Sequence, residues 1–203
     1  MQQKLLSTQS VFVLLAALTA GLWSAASPAE DSGVNVNFTA RILANTCQIN
    51  LKDGSDVTLP TVSQDWFYNA DNSNRLQPET DAGGTPFIIQ VVSCDISGTE
   101  SNNSQQVHFQ FTPQFGIDPL NKRVFANNAT SGQASNVGVV VFSEAFHTNV
   151  LNDDGSSDVV YDLSGKAEPR FPADYTFYAR YQNTGDVGNG VITSNVVVDV
   201  TYQ

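Results

Sequence analysis

Two histidines, two cysteines and one aspartate-rich run are the residues of this sequence whose types could support chemistry. His108 lies in a stretch of alternating apolar residues, and His147 lies beside a turn. The nucleophile motif G-x-S-x-G and the zinc motif H-E-x-x-H do not occur in the sequence. We therefore interpret both histidines as structural, and the sequence predicts no catalytic residue, no cofactor and no enzyme.

Two further segments invite a ligand, and each has a simpler interpretation. The run 152–158 is rich in aspartate, but it lacks the spacing and the terminal glutamate of a calcium-binding EF-hand loop. A solvated turn is the better interpretation, so no metal site is predicted. The aromatic cluster 65–68 (Asp-Trp-Phe-Tyr) could stack on a sugar, although packing at the edge of a core is favoured.

The first 29 residues predict a secretory signal peptide. Lys4 precedes an apolar run that contains no charge, and the small-residue tail ends in Ser27-Pro28-Ala29. We place cleavage after Ala29, with Ala26 as an alternative. This apolar run is short for a bilayer span, which needs about 20 residues, so no membrane span is predicted in the mature chain.

Cys47 and Cys94 are the only cysteines, and an even count in an exported chain favours a disulfide. The bridge would close a loop of about 48 residues and contribute roughly 4 kcal/mol in the chain-entropy model. Two free buried thiols are the alternative.

The net charge of −11 argues against two classes of partner. Nucleic acids and anionic lipid surfaces are both bound by clustered lysine and arginine, which this sequence lacks. We therefore expect neither nucleic-acid binding nor electrostatic attachment to a membrane.

Short β-type runs separated by turn clusters fill the rest of the sequence. Runs rich in β-branched and aromatic residues occur at 34–42, 85–94, 107–111, 137–142, 159–161, 175–181 and 191–202. Clusters of Asn, Asp, Ser and Gly separate them, and helical periodicity is lacking. This pattern predicts an all-β sandwich in one domain.

The first and last of these strands are strongly amphipathic. Apolar residues alternate with polar ones from Val34 to Ile42, and again along the final run toward Tyr202. Successive side chains of a strand point to opposite faces, so each strand has one apolar face that must be covered. On the pattern alone, an ordinary core strand is the favoured interpretation of each.

Several motifs in order make the sequence resemble a known family. They are Asn-Thr-Cys at 45–47, Val-Val-Ser-Cys at 91–94, Tyr-Thr-Phe-Tyr-Ala-Arg-Tyr at 175–181, and Gly190 twelve residues before a penultimate Tyr202. Behind a signal peptide, this set resembles the type 1 fimbrial pilins of the chaperone–usher pathway. The resemblance covers essentially the whole mature chain.

The resemblance implies a fold and a set of partners. The fold would be an immunoglobulin-like β-sandwich lacking its final strand, completed by a donor strand from another subunit. The partners would be a periplasmic chaperone, an outer-membrane usher and neighbouring pilin subunits, and the destination would be a fimbrium on the cell surface. The implied division is residues 1–29 as signal peptide, 30–44 as donor-strand extension and 45–203 as pilin domain.

The resemblance also implies which residues form the joint between subunits. The donor strand would present Val34, Val36, Phe38, Ala40 and Ile42. The groove, which also meets the chaperone, would be lined by Gly190, Ile192, Val196, Val198, Val200 and Tyr202. Family donors often carry glycine where this chain has Ala40, which puts the donor register in doubt.

The role of the subunit within a fimbria stays open at this point. A structural subunit that supports cell adhesion is the first interpretation. A minor tip or adaptor subunit, or a single-domain adhesive subunit that binds a host glycan or protein, is the alternative. Few residues precede Cys47, so a separate receptor-binding domain is not expected there.

Overall fold

The computed structural model describes residues 34–40, 47–52, 54–94, 105–166 and 170–203. For 34–40 it describes the backbone alone. All of these residues belong to one compact unit, Ser32–Gln203. The predicted signal peptide, the donor residue Ile42 and the polar run 101–104 lie outside the described residues.

Two sheets of five strands form the body of the molecule. In spatial order, the first sheet contains β3 (Asp56–Leu59), β1 (Val34–Ala40), β10 (Ser194–Tyr202), β5 (Gln106–Pro113) and β8 (Val159–Asp162). The second contains β2 (Cys47–Leu51), β4 (Thr85–Cys94), β9 (Ala173–Asn183), β6 (Val137–Ser143) and β7 (Thr148–Asn149). Helical structure within the described ranges is limited to a 3₁₀ turn, Gln64–Phe67.

The core lies between the two sheets and is rich in aromatic rings. Phe109 and Phe111 of β5 pack against Phe177 of β9, with ring centroids 5.4 and 5.1 Å apart. Phe87 of β4 stacks on the same ring at 5.8 Å. All four rings are fully buried, as the alternating pattern of their strands requires.

β2 and β3 are consecutive in the chain but belong to different sheets. β2 pairs with β4, and after a short turn β3 pairs with β1 on the opposite side of the core. A strand that changes sheets in this way joins the two layers at one corner of a sandwich. Neither segment was among the predicted strands, because each is only four or five residues long.

The second sheet is covered on its outer side near the end of β9. Arg180 is buried there, and its guanidinium donates hydrogen bonds to the backbone carbonyls of Gln77 and Thr80 at 2.8 and 2.9 Å. The guanidinium also stacks over the ring of Phe142. Burial lowers the pKa of Arg180 to about 10, so it stays protonated at neutral pH and holds the 74–81 loop against the sheet.

The all-β sandwich predicted from the sequence is confirmed. Each of the predicted runs coincides with a strand, and no end differs by more than three residues. The strand between β3 and β10 was expected to come from another subunit, and here it does not. In the single chain this place is occupied by residues 34–40 of the same molecule rather than by a strand from another subunit.

Candidate functional site

The C-terminal strand β10 lies at the centre of the first sheet, between two unlike neighbours. On one side, β5 pairs with it antiparallel along seven residues, from Val196 opposite Pro113 to Tyr202 opposite Val107. On the other side, β1 pairs with it parallel along five residues. β1 thereby fills the strand position that separates β10 from β3.

The inward row of β10 contains four of the predicted groove residues. Ser194, Val196, Val198, Val200 and Tyr202 are buried, and the residues between them are partly exposed. The one polar member, Ser194, donates its hydroxyl hydrogen to the carbonyl of Ala126 at 2.8 Å. A buried hydroxyl with a partner costs little, so this end of the row tolerates a polar residue.

The backbone register of β1 places its apolar positions opposite buried residues of both neighbours. Positions 34 and 36 lie opposite Leu59 and Val57 of β3, and both of these are buried. Positions 36, 38 and 40 lie opposite the buried residues 194, 196 and 198 of β10. Positions 34 to 40 of the predicted donor strand are therefore in register with a row that faces the core.

Gly190 and Ile192 lie outside β10, which begins at Ser194. Ile192 is buried, while Gly190 has a φ of +149° in the preceding loop. A Cβ at Gly190 would collide with the backbone carbonyl of Gly132 and the amide of Ala134. The glycine is needed because two loops cross closely here, and not because it lines a strand groove.

Asn127 fixes the start of β10. Its side-chain amide donates hydrogen bonds to the carbonyls of Ala134 and Val191, at 3.0 and 2.9 Å. Its side-chain carbonyl accepts hydrogen bonds from the amides of Ala129 and Thr193, at 3.1 and 2.9 Å. One side chain thus ties three segments together, and the sequence offered no sign of it beyond its place in an Asn-rich turn.

The end of β10 is equally well held. The Tyr202 hydroxyl accepts a hydrogen bond from the Arg170 guanidinium at 2.6 Å, and its ring packs edge-on against Phe171. Gln203 and Gln106 exchange two backbone hydrogen bonds of 2.8 and 3.0 Å. The strand is therefore tied down to its last residue, where chain ends usually fray.

The predicted disulfide is present and joins the first residue of β2 to the last residue of β4. The register between these strands slips at Gln48 and Ile49, which lie opposite Ser93 and Val91. Val92 is the extra residue of this bulge, and it is 41 % exposed. Bulges commonly redirect a side chain in this way.

The residues first considered for chemistry have structural partners. His108 of β5 contacts the Asp158 carboxylate at 2.9 Å, and its side chain is only 14 % exposed. His147 contacts Asp81 at 2.7 Å. Within the described part of the chain, no group of three or more His, Cys, Asp or Glu residues could hold a metal ion.

The aromatic cluster is a packing feature. Trp66 meets the rings of Phe67 and Tyr181 edge-on at 5.1 and 6.3 Å. The Arg75 guanidinium lies over the indole at 5.3 Å, on a face that a sugar would need. The Tyr68 hydroxyl accepts a hydrogen bond from the amide of Val187 at 2.9 Å.

The Asp81 carboxylate has a lowered pKa because of its hydrogen bonds and a nearby positive charge. Burial alone would raise its pKa, but hydrogen bonds from the Gly83 amide and the His147 ring, together with the Arg180 charge, hold its pKa below the ordinary value. This carboxylate is ionised at neutral pH and anchors the end of the 74–83 loop. Its role is structural.

No helix in the described ranges is long and apolar enough to cross a bilayer.

Comparison with known proteins places the chain in a family. Residues 36–203 match the family model described as "Fimbrial protein". The chain is 31 % identical over its whole length to 98 % of an uncharacterised fimbrial-like protein, YadK, of Escherichia coli K12.

Two solved structures are also similar in part. A type I fimbria protein of Burkholderia pseudomallei is 17 % identical, with 83 % of this chain and 92 % of that chain covered and a TM-score of 0.38. The CupB6 tip adhesin of Pseudomonas aeruginosa is 13 % identical, with 59 % of this chain and 37 % of that chain covered and a TM-score of 0.34.

The family match covers the disulfide, the whole of β10 and all other strands except the first two residues of β1. It is a family of fimbrial structural and adhesive subunits and not of enzymes. The chain belongs to the fimbrial protein family, as a subunit of a chaperone–usher fimbria.

Proposed function

We propose that this subunit polymerises by donor-strand exchange, with residues 30–44 as the extension that is lent to a neighbour. The observation that carries the proposal is the strand position between β3 and β10. It is filled by the first described strand of the chain, which precedes all the other described strands in sequence. A segment of this kind can be exchanged for the same segment of another copy.

The two ends of the sandwich differ in what they hold. We call the end of the sandwich where β10 ends the carboxyl pole, and the end where β10 begins the amino pole. The carboxyl pole contains Tyr202, Arg170 and the Cys47–Cys94 disulfide, because β9 begins beside Tyr202 and Cys94 lies beyond the Val91–Ala173 pair. The amino pole contains the start of β10 and the ends of β3 and β5. The arm, residues 34–42, is therefore rooted at the carboxyl pole through Cys47.

The root at the carboxyl pole explains why the arm is parallel to β10 in the single chain. Seven Cα steps separate Ala40 from Cys47 and span about 25 Å at most. An arm inserted antiparallel into its own groove would end at the amino pole. The chain would then have to return from the amino pole to Cys47 at the carboxyl pole. This path covers more than about 27 Å along β10 and also crosses the separation of about 10 Å between the sheets. Only parallel insertion is within reach.

Insertion into a neighbour is free of this restraint. An arm antiparallel to the neighbour's β10 would place the donor's carboxyl pole against the acceptor's amino pole. Such a contact joins two different surfaces, so it repeats without closing and builds a fibre. The reversed arm is antiparallel to β10 and parallel to β3, whereas the self-inserted arm is parallel to β10 and antiparallel to β3, so the type of pairing alone favours neither state.

The gain from insertion is large. Val34, Val36, Phe38 and Ile42 are the large apolar residues of the arm, and burying side chains of these types contributes roughly 6–12 kcal/mol in total before ordering costs. Backbone hydrogen bonds to β3 and β10 add to this. An empty groove would expose the same apolar row and two unpaired strand edges, which is an aggregation hazard.

Because an empty groove is an aggregation hazard, the proposal requires proteins that cover it before exchange. A periplasmic chaperone would cover the groove with a strand of its own, and an outer-membrane usher would be the place of exchange. The route therefore leads through the periplasm to the cell surface.

Deletion of residues 30–42 tests the proposal. The deleted chain should keep its chaperone complex and accept a synthetic peptide of residues 32–44, but it should no longer insert into a second copy. Leu120→Ser in the full chain, which changes an exposed turn residue and leaves the arm intact, serves as the control. An arm-deleted subunit that still joins its neighbours would overturn the proposal.

A further inference from the structure

We propose that the fibre joint contains a second contact between the bodies of adjacent copies, made by Phe115 of the acceptor and Val92 of the donor. This inference rests on the proposed strand exchange. Both residues are exposed large hydrophobic side chains, at 66 % and 41 %. They lie at opposite poles of the same molecule, which is the arrangement that a head-to-tail contact needs.

Phe115 lies beside the mouth of the groove. It follows Pro113, which is opposite Val196 near the start of β10, and the Gln114 amide donates a hydrogen bond to the Asn195 carbonyl at 2.9 Å. β5 is two strand spacings, or about 10 Å, from the place that the arm occupies.

The Phe115 side chain is presented on a fixed backbone. The Gln114 amide is bonded to β10, and the Gly116 carbonyl accepts a hydrogen bond from the Ala126 amide. Gly116 has a φ of +95°, which turns the chain sharply after Phe115. Because ordering costs are small for a side chain on a held backbone, such an aromatic ring is well suited to a contact.

Val92 lies at the root of the arm. It is the extra residue of the bulge opposite Gln48 and Ile49, one strand spacing or about 5 Å from them. Cys47 immediately precedes these residues, and the disulfide fixes it to Cys94. The side chain therefore keeps its position relative to the point where the arm leaves the body.

Chain length brings the two residues together. In an antiparallel joint, residue 42 of the donor lies at the acceptor's amino pole, and five Cα steps connect it to Cys47. These steps span about 17 Å at most, so the root of the donor's arm must lie close to the acceptor's groove mouth. Val92 and Phe115 lie within about 5 to 10 Å of those two points.

A second copy of this chain is the occupant to which the geometry points. In the single chain, the apolar positions of the arm between 34 and 40 lie opposite buried residues of β3 and β10. A row with period two presents the same apolar face in either direction, so the groove of a second copy also fits the reversed arm. The body contact would add apolar area at the place where the inserted strand ends.

The test compares a peptide with a whole subunit as donors to the same acceptor. Labelled peptide 32–44 and a labelled second copy are each titrated against the full chain from residue 30 on, and insertion is followed by fluorescence. Phe115→Ser in the acceptor should lower its affinity for the second copy about tenfold and leave its affinity for the peptide unchanged. Val92→Ser in the donor should lower the affinity between the two copies by the same factor. The two changes together should lower that affinity little more than either one alone.

The matched control is Leu120→Ser, which changes an equally exposed side chain, at 70 %, on the tip of the adjoining hairpin. It should leave both titrations unchanged. Equal binding of the second copy by the original chain and the Phe115 variant would overturn the body contact while leaving strand exchange intact. Failure of both the peptide and the second copy to insert would instead overturn the proposed function itself.

Discussion

The two neighbours of β10 behave differently although both lie in the same sheet. β5 is antiparallel, pairs along seven residues and carries Phe109 and Phe111 into the centre of the core. β1 is parallel, pairs along five residues and precedes Cys47 in sequence. β5 is a permanent strand of the domain, whereas β1 fills a strand position that, in our proposal, a strand of another copy can also fill.

This difference separates stability from assembly. Changes on the β5 side should alter the free energy of unfolding of the whole domain, because they reach the rings that join the two sheets. Changes on the β1 side should mainly alter which strand fills the position. The following predictions test whether this division holds, from the largest expected effect to the smallest.

Phe109→Ala should lower the free energy of unfolding by about 3–5 kcal/mol. Phe109 is fully buried and contacts Phe177, Tyr175 and Tyr161, so truncation leaves a cavity in the middle of the core. Urea unfolding followed by tryptophan fluorescence measures the loss. Gln110→Ala on the exposed face of the same strand should cost little. A loss below about 1 kcal/mol for Phe109→Ala would mean that β5 is not the permanent neighbour.

Replacing both cysteines by serine should lower the free energy of unfolding by about 2–5 kcal/mol. The bridge fixes the first residue of β2, which is also the root of the arm, to β4. The double variant should therefore lose stability and also release the arm more easily. Hydrogen exchange that rises equally in β5 and β1 would argue against a selective effect at the root.

Asn127→Ala should cost about 2 kcal/mol, since it removes four hydrogen bonds at the start of β10, two to the carbonyls of Ala134 and Val191 and two from the amides of Ala129 and Thr193. Asn128→Ala is a close control. The side-chain oxygen of Asn128 is buried and has no hydrogen-bond partner within the described residues. Thermal unfolding of the two variants compares them directly, and equal losses would contradict the special role of Asn127.

Asp81→Asn should give the smallest effect, below about 1 kcal/mol, with a defined pH dependence. The folded pKa of Asp81 is held below that of the unfolded chain, so its contribution is present above about pH 4 and is lost as the pH falls through the lower folded pKa. The difference between the original chain and the variant should therefore shrink below pH 4. A difference that stays constant from pH 7 to pH 3 would contradict this account.

The sequence predicts those parts of the fold that depend on side-chain alternation. Val107 to Phe111 alternates strictly, and Val196 to Tyr202 alternates except at Val197. Both are strands with the expected faces. β2 and β3 could not be predicted, because a strand of four or five residues that changes sheets has too short a pattern. Arg180 looks like a surface cation in the sequence, and only the loop packed above it makes it a buried anchor.

The site was predictable in its residues but not in its geometry. Alternation identifies the apolar row of β10 and the apolar positions of the arm. It cannot give the direction of pairing, because a row with period two is the same in either direction. The parallel arrangement in the single chain follows from where Cys47 lies, which only the three-dimensional structure reveals.

Photo-crosslinking from the arm tests the central claim most directly. A benzoyl-phenylalanine at position 35 lies beside Thr58 in the single chain, at the amino pole. In joined subunits, with one copy labelled by ¹⁵N, the account predicts intermolecular links to the carboxyl pole of the neighbour, near Thr201. Links that stay within one copy, or that reach the neighbour near Asn195, would contradict antiparallel exchange.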